Sequence, residues 1–153
     1  MKIVNLKAVP SELPVLAKWH QQEWADLNPG KSLKDRINKM QAYLENGFVP
    51  STYVAIADEL LGSAAIVKCD MDTRAELEPW LASVYVAKSQ RGNGIGTALV
   101  KHIMQKAAHN GIERLYLFTP GQKEFYQGLG WQYLEQTQYH DQQVTIMYVD
   151  LTS

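Results

Sequence analysis

The segment Val84-Tyr85-Val86-Ala87-Lys88-Ser89-Gln90-Arg91-Gly92-Asn93-Gly94-Ile95-Gly96-Thr97 decides how the rest of the chain is read. It has the form of a buried strand, a glycine-rich turn and the first turn of a helix. Glycines at such a turn let the backbone approach a ligand closely. The free amides of the helix N-terminus, with its dipole, form an anion site suited to phosphate. Three glycines at alternate positions exceed what a simple left-handed turn requires. A Walker loop needs glycine at 97 followed by Lys and Ser or Thr, where the chain has Thr97, Ala98 and Leu99. A dinucleotide fingerprint fails in both registers, at Thr97 and at Leu99. Glu113 stands near the distance at which that fingerprint places its acid, which keeps a nicotinamide reading as a minor alternative.

Working outward, residues 80–86 form a continuous apolar run, as in a buried central strand. Ala98, Leu99, His102, Ile103 and Ala107 carry a helix that Asn110-Gly111 ends. A second buried strand covers 114–118, and the right-handed crossover rule makes it parallel to the first. A short helix over 122–127 stops at Gly128-Leu129-Gly130. Strands over 131–134 and 144–149 follow, joined by a polar stretch at 138–143. Upstream, alternation predicts a strand over 2–7. Pro10-Ser11-Glu12 opens a helix bearing Leu13, Leu16, Ala17, Trp19, His20, Glu23 and Trp24, and Asn28-Pro29-Gly30 stops it. Ser32 caps a second helix, with Asp35 three residues on, as in a capping box. Residues 51–57 and 61–68 form a hairpin, followed by an acidic loop at 70–78. This order predicts an α/β (α+β) fold: one mixed sheet with helices on both faces.

The chain has 153 residues with a net charge of -1, the size expected of a single domain over 1–153. Near-neutral charge gives no reason to expect nucleic acid or an anionic membrane as partner. Cys69 is the only cysteine, so intramolecular disulfides and cysteine-based zinc clusters are excluded. His20, His102, His109 and His140 show no metal-binding spacing, and no metal is expected. No run reaches the ~20 apolar residues of a membrane span. The N-terminus lacks the long apolar core of a signal peptide, so a cytoplasmic location is expected.

Arg91-x-x-Gly94-x-Gly96 resembles the acetyl-CoA-binding turn, R/Q-x-x-G-x-G/A, of the GCN5-related N-acetyltransferase (GNAT) family. Phe125-Tyr126-Gln127-Gly128-Leu129-Gly130-Trp131 resembles that family's F-Y-x-x-L-G-F/W segment, at the right distance downstream. The two N-terminal helices and the hairpin match the family's order, so the likeness runs through nearly the whole chain. It implies a mostly antiparallel sheet of about seven strands flanked by about four helices. It also implies an acyltransferase that moves an acetyl group from acetyl-CoA directly to a primary amine of a small molecule or peptide. A non-catalytic acyl-CoA-binding regulatory module on the same fold is the alternative.

By this likeness, backbone amides of Arg91, Gly92, Asn93, Gly94, Ile95, Gly96 and Thr97 hold the pyrophosphate. Backbone groups around Val84, Tyr85 and Val86 pair with the pantetheine arm as an added strand would. Thr119 stands where the family often has Asn, which puts a side-chain contact there in doubt. Tyr126 directs its hydroxyl to the sulfur as general acid, since a phenol stays protonated at neutral pH. The position where many members carry a basic Glu is Trp80. Glu78, two residues earlier, is the substitute catalytic base, acting through water; Glu23, His20 and solvent are the alternatives. His20, Glu23, Trp24 and Trp80 are expected at the acceptor. With Asp26, Glu76 and Glu78 they would give an acidic and aromatic lining for a cationic amine. A monomer or a homodimer fits equally well.

Overall fold

The computed structural model describes residues 1–24 and 30–151. Its elements run β1 Lys2–Asn5, α1 Leu13–Trp24, α2 Leu33–Met40, β2 Ser51–Ile56, β3 Leu60–Val67, β4 Trp80–Val86, α3 Ile95–His109, β5 Arg114–Thr119, α4 Lys123–Gln127, β6 Gln132–Tyr139 and β7 Gln142–Asp150. The seven strands form one sheet in the order β1-β2-β3-β4-β5-β7-β6. All neighbours are antiparallel except β4 and β5, which are parallel. The expected mixed sheet and its parallel pair are therefore present.

Each helix covers the sheet with the face its sequence makes apolar. In α1, Leu13, Leu16, Ala17 and His20 are buried, at the three- and four-residue spacing of one helical stripe. With Met40 of α2, Leu13, Leu16 and Ala17 pack on Val54 and Leu60. The capping box at the start of α2 is complete: Ser32 Oγ accepts from the Asp35 amide and Asp35 accepts from the Ser32 amide. On the opposite face, α3 buries Ile95, Leu99, Val100, Ile103 and Ala107 against Ala55, Ile66, Leu81, Leu115, Leu117 and Met147. Tyr126 of α4 and Trp131 join this cluster.

Three boundaries differ from the sequence reading. β1 ends at Asn5, whose side chain accepts from the Lys7 amide and turns residues 6–8 into a 3-10 turn. β6 and β7 are longer than expected, because the polar stretch is itself strand, closed by a tight turn at His140 (φ 49) and Asp141 (φ 60). Two left-handed residues make a turn whose twist suits a hairpin, and the His-Asp pair lacks the glycine that usually announces it. The segment between β3 and β4 lies over the sheet. Met71 within it is fully buried with Trp80, Val144 and Ile146.

The feature that positions the site is an irregularity in β4. Ser63 pairs with Tyr85 and Ala65 with Ala82, so β4 carries one residue more than β3 across this interval. The bulge centres on Ser83, whose φ of 53 is left-handed. An extra residue reverses the alternation of faces. Before it, Leu81 faces α3 and Trp80 the other side; after it, Val84 and Val86 face α3 and Tyr85 turns toward α1. Beyond the bulge β4 leaves β5: their ladder has a single pair, Trp80 with Tyr116.

Candidate active site

The divergence of β4 from β5 opens a cleft at the carboxyl ends of both strands, beside the glycine turn. No ladder between the two strands extends past Trp80–Tyr116, so the β5-facing edge of residues 84–86 has no β5 partner. The Val86 carbonyl instead accepts from Arg91 Nε at 3.0 Å. Gly94 caps α3 in the left-handed region at φ 79, where a side chain would be strained. A Cβ built on Gly92 or Gly94 would meet nothing within 4 Å, so the turn presents an open concave surface to the helix N-terminus. A Cβ on Gly96 would lie 3.6 Å from Val86 Cγ2. These features suit a phosphate-bearing ligand with an extended arm: amides at the turn and, alongside, a strand edge without a β5 partner that the Arg91 side chain caps.

Tyr126 belongs to the core cluster beneath α3 against which Val84 and Val86 also pack. Its ring is buried against Phe125 and Trp131, with ring centroids 5.0 and 6.1 Å away. Burial alone pushes its phenol up to about 12, so it holds its proton throughout the neutral range. The hydroxyl has no hydrogen-bond partner among the described residues. Thr119, at the end of β5, accepts through Oγ1 from the Gln122 amide at 3.0 Å and so sets the start of α4.

Across the sheet, Tyr85 meets an aromatic cluster from α1. Its ring centroid lies 5.4 Å from Trp19, 6.2 Å from His20 and 6.0 Å from Trp24. His20 is buried and its Nε2 lies 3.2 Å from Ser63 Oγ. Burial, and secondarily the charge of Arg36, lower His20 to about 4, so the imidazole is neutral at physiological pH. The Arg91 guanidinium stands 5.5 Å from the Tyr85 ring centre.

The remaining expected residues lie elsewhere. Trp80 is fully buried beneath the 68–79 segment, its indole N–H donating to the Leu77 carbonyl, and presents no surface to an acceptor. The 68–79 segment covers Trp80, whereas Tyr85, five residues further along and also facing away from α3, packs against α1. Glu78 is exposed at the opposite end of β4, among Val49, Lys68, Pro79 and Ile112. Six residues separate it from Val84, about 20 Å of extended chain, and the structure does not bring it to Tyr126. Glu76 is paired with Arg74, which also reaches Glu135 on β6. Glu23 is exposed on α1, and Asp26 lies outside the described residues. Among the described residues, Glu76 and Glu78 therefore do not join the α1 cluster, and Glu23 faces solvent. The charge that does reach the cluster comes from Arg36, a residue the sequence reading passed over. The basic run Lys31, Lys34, Arg36 and Lys39 was the available signal.

A family model described as "Acetyltransferase (GNAT) family" matches residues 13–131. The chain belongs to this family. Solved structures agree on the fold. An aminoglycoside 6'-N-acetyltransferase complexed with coenzyme A superposes with a TM-score of 0.79 at 19% identity, covering 100% of this chain and 98% of that one. An aminoglycoside 6'-N-acetyltransferase from Enterococcus faecium gives 0.76 at 19%, covering 100% and 98%. A ribosomal-protein-alanine N-acetyltransferase from Brucella melitensis gives 0.75 at 18%, covering 98% and 99%. No curated protein matches the sequence significantly. As a GNAT-family chain the protein is an acyltransferase, and the fold shared by the three structures serves acceptors as different as an aminoglycoside and a ribosomal protein. Among the described residues, no helix of this GNAT chain is long and apolar enough to cross a membrane.

Proposed function

We propose that the protein transfers an acetyl group from acetyl-CoA to a primary amine of a small molecule or peptide. The observation that carries this reading is the β4 edge itself: residues 84–86 without a β5 partner beside an open glycine turn, with Tyr126, its ring buried and its hydroxyl unpartnered among the described residues, in the cluster that Val84 and Val86 also join. Acetyl-CoA supplies an activated acetyl thioester. The amides of 91–97 bind its pyrophosphate. The Val84 and Val86 backbone aligns the pantetheine arm, and Arg91 releases the Val86 carbonyl when that arm takes its place. An amide of the β4 edge donates to the carbonyl oxygen as negative charge develops on it. The amine attacks unprotonated. His20, at about 4, is too weak a base to deprotonate an ammonium of reference pKa ~10.4, so the proton leaves to solvent. The Tyr126 O–H donates a hydrogen bond to the departing sulfur. A phenol at about 12 acts there as a hydrogen-bond donor whose proton moves only as thiolate charge builds.

The regulatory-module reading is favoured by one observation, the placement of Trp80 in the core and Glu78 at the far end of β4. One experiment separates the two. Thermal unfolding midpoints are measured with acetyl-CoA, CoA, NADH and ATP for wild type, Gly94→Glu and Tyr126→Phe, and thiol release is followed over an amine panel. Acetyl-CoA and CoA should raise the wild-type midpoint by several degrees, since ligand at ~100 times its Kd adds about 2.7 kcal/mol. Gly94→Glu should abolish the shift. Tyr126→Phe should keep it and lose about 100-fold in kcat. A shift without thiol release from any amine establishes the module instead.

A further inference from the structure

A cavity of about 340 Å³ opens along α2, lined by Lys31, Asp35, Arg36, Asn38 and Lys39. Three of the five side chains are cations. The one carboxylate, Asp35, is engaged with Ser32 in the capping box. Arg36 is half-buried, and burial lowers its pKa. Its Nε donates to Gln21 Oε1 at 2.9 Å, and Gln21 Nε2 donates in turn to the Lys31 carbonyl at 2.9 Å. The guanidinium is therefore oriented by a neutral partner. Among the described residues no carboxylate lies within ion-pair distance of Arg36, Lys31 or Lys39; Lys39 acts on Asp70 only at longer range. An oriented arginine, partly removed from water and lacking a counter-ion among the described residues, carries a desolvation cost that an anion would offset. Its remaining N–H groups fit a carboxylate as a two-pronged fork.

This pocket adjoins the face where the acceptor amine is expected. Gln21, which holds Arg36, follows His20 in α1, and the Arg36 charge acts on His20. His20 and Trp24 in turn pack on Tyr85, which lies between Val84 and Val86 on the proposed cofactor edge. We infer that Arg36, with Lys31 and Lys39, binds a carboxylate carried by the amine acceptor. The inference rests on the transferase reading above and gives its substrate class: a zwitterionic, amino-acid-like amine. A polycationic amine is repelled by the same three charges.

The test compares amino acids with their amides, which present the same amine without the carboxylate, and with a polyamine and an aminoglycoside. Thiol release is the first readout. For the accepted amino acid, kcat/KM should exceed that of its amide by roughly 10- to 100-fold, the worth of a charge-assisted hydrogen-bonded pair. Arg36→Gln should raise KM for the acid by that factor, leave the amide and the acetyl-CoA KM unchanged, and be partly rescued by Arg36→Lys. The second readout is calorimetric binding of the amino acid to the CoA complex of wild type and Arg36→Gln, which needs no turnover. Binding that depends on Arg36 without thiol release upholds the pocket and removes the transferase reading. Release with the polyamine, the aminoglycoside or the amide at rates equal to the acid, indifferent to Arg36, overturns the pocket and leaves the transferase reading intact.

Discussion

Asp70 follows β3 into the segment that lies over the sheet, and its carboxyl is held among groups that cannot solvate it well. Burial pushes it up to about 6, against a smaller opposing pull from Lys39. The sign follows directly. A carboxyl whose folded pKa lies above its unfolded value of 3.8 favours the native state below that value, and the advantage is lost as pH rises through about 6. At neutral pH an ionised Asp70 therefore destabilises the fold. His20 has the opposite dependence: its folded pKa lies below the unfolded 6.5, so its support is present above 6.5 and lost as pH falls through about 4. Asp70→Asn isolates the first effect. In urea unfolding at pH 7.5 the variant should be more stable than wild type by about 1–3 kcal/mol, with the gap closing near pH 4. A gap that persists unchanged at pH 4 would rule the carboxyl out as its source. Tyr126 was legible in the sequence because a motif surrounds it. Asp70 and Arg36 were not, because an acid in a polar loop and a cation on a helix look the same whether solvated or enclosed. What distinguishes them is burial by segments distant in sequence, such as Gln21 beneath Arg36.

Among the elements, β4 shows why periodicity located the strand but not its use. The boundaries 80–86 were read correctly, and the parallel partner with them. In the run Leu81-Ala82-Ser83-Val84-Tyr85-Val86, however, apolar residues on both faces hide any change of parity, and Ser83 gives no glycine to mark the bulge. The family likeness places Trp80 at the acceptor, whereas the structure buries Trp80 and the β4 side chain that meets α1 is Tyr85. The bulge is supported from β3 by Gly62, opposite Val86. A Cβ at Gly62 would come 2.7 Å from the Tyr85 carbonyl oxygen, which is backbone and cannot swing aside, and 3.3 Å from Leu99 Cδ1. Gly62→Ala should therefore force β3 from β4, costing roughly 1–3 kcal/mol by chemical denaturation. It should also weaken acetyl-CoA binding by calorimetry, as the displaced Tyr85 peptide lies between Val84 and Val86, whose backbone forms the proposed cofactor edge. Unchanged stability and affinity would mean that β4 tolerates the shift.

For the molecule as a whole, the alternation of element types sufficed to predict a mixed sheet with helices on both faces. It did not predict that β7 inserts between β5 and β6, because a hairpin can add to a sheet by either of its strands. Nor did it predict that the 68–79 segment becomes part of the interior, because its single buried anchor, Met71, sits among polar residues. The separation of β4 from β5 leaves an edge in the middle of a seven-stranded sheet. Edges normally occur at the margins, where their free amides exchange with solvent. Here the same chemistry lies at the centre, between two rigid halves that share the core beneath α3. Hydrogen exchange should therefore show an unusual map: rapid amides at Val84 and Val86 inside an otherwise slow sheet, while the amide of Tyr85, which pairs with Ser63 of β3, and that of Tyr116, bonded to the Pro79 carbonyl at 3.0 Å, stay slow. Acetyl-CoA should slow the Val84 and Val86 amides and those of the glycine turn together. The gap then serves as a built-in gauge of occupancy, with the cosubstrate taking the place of an eighth strand for as long as it is bound.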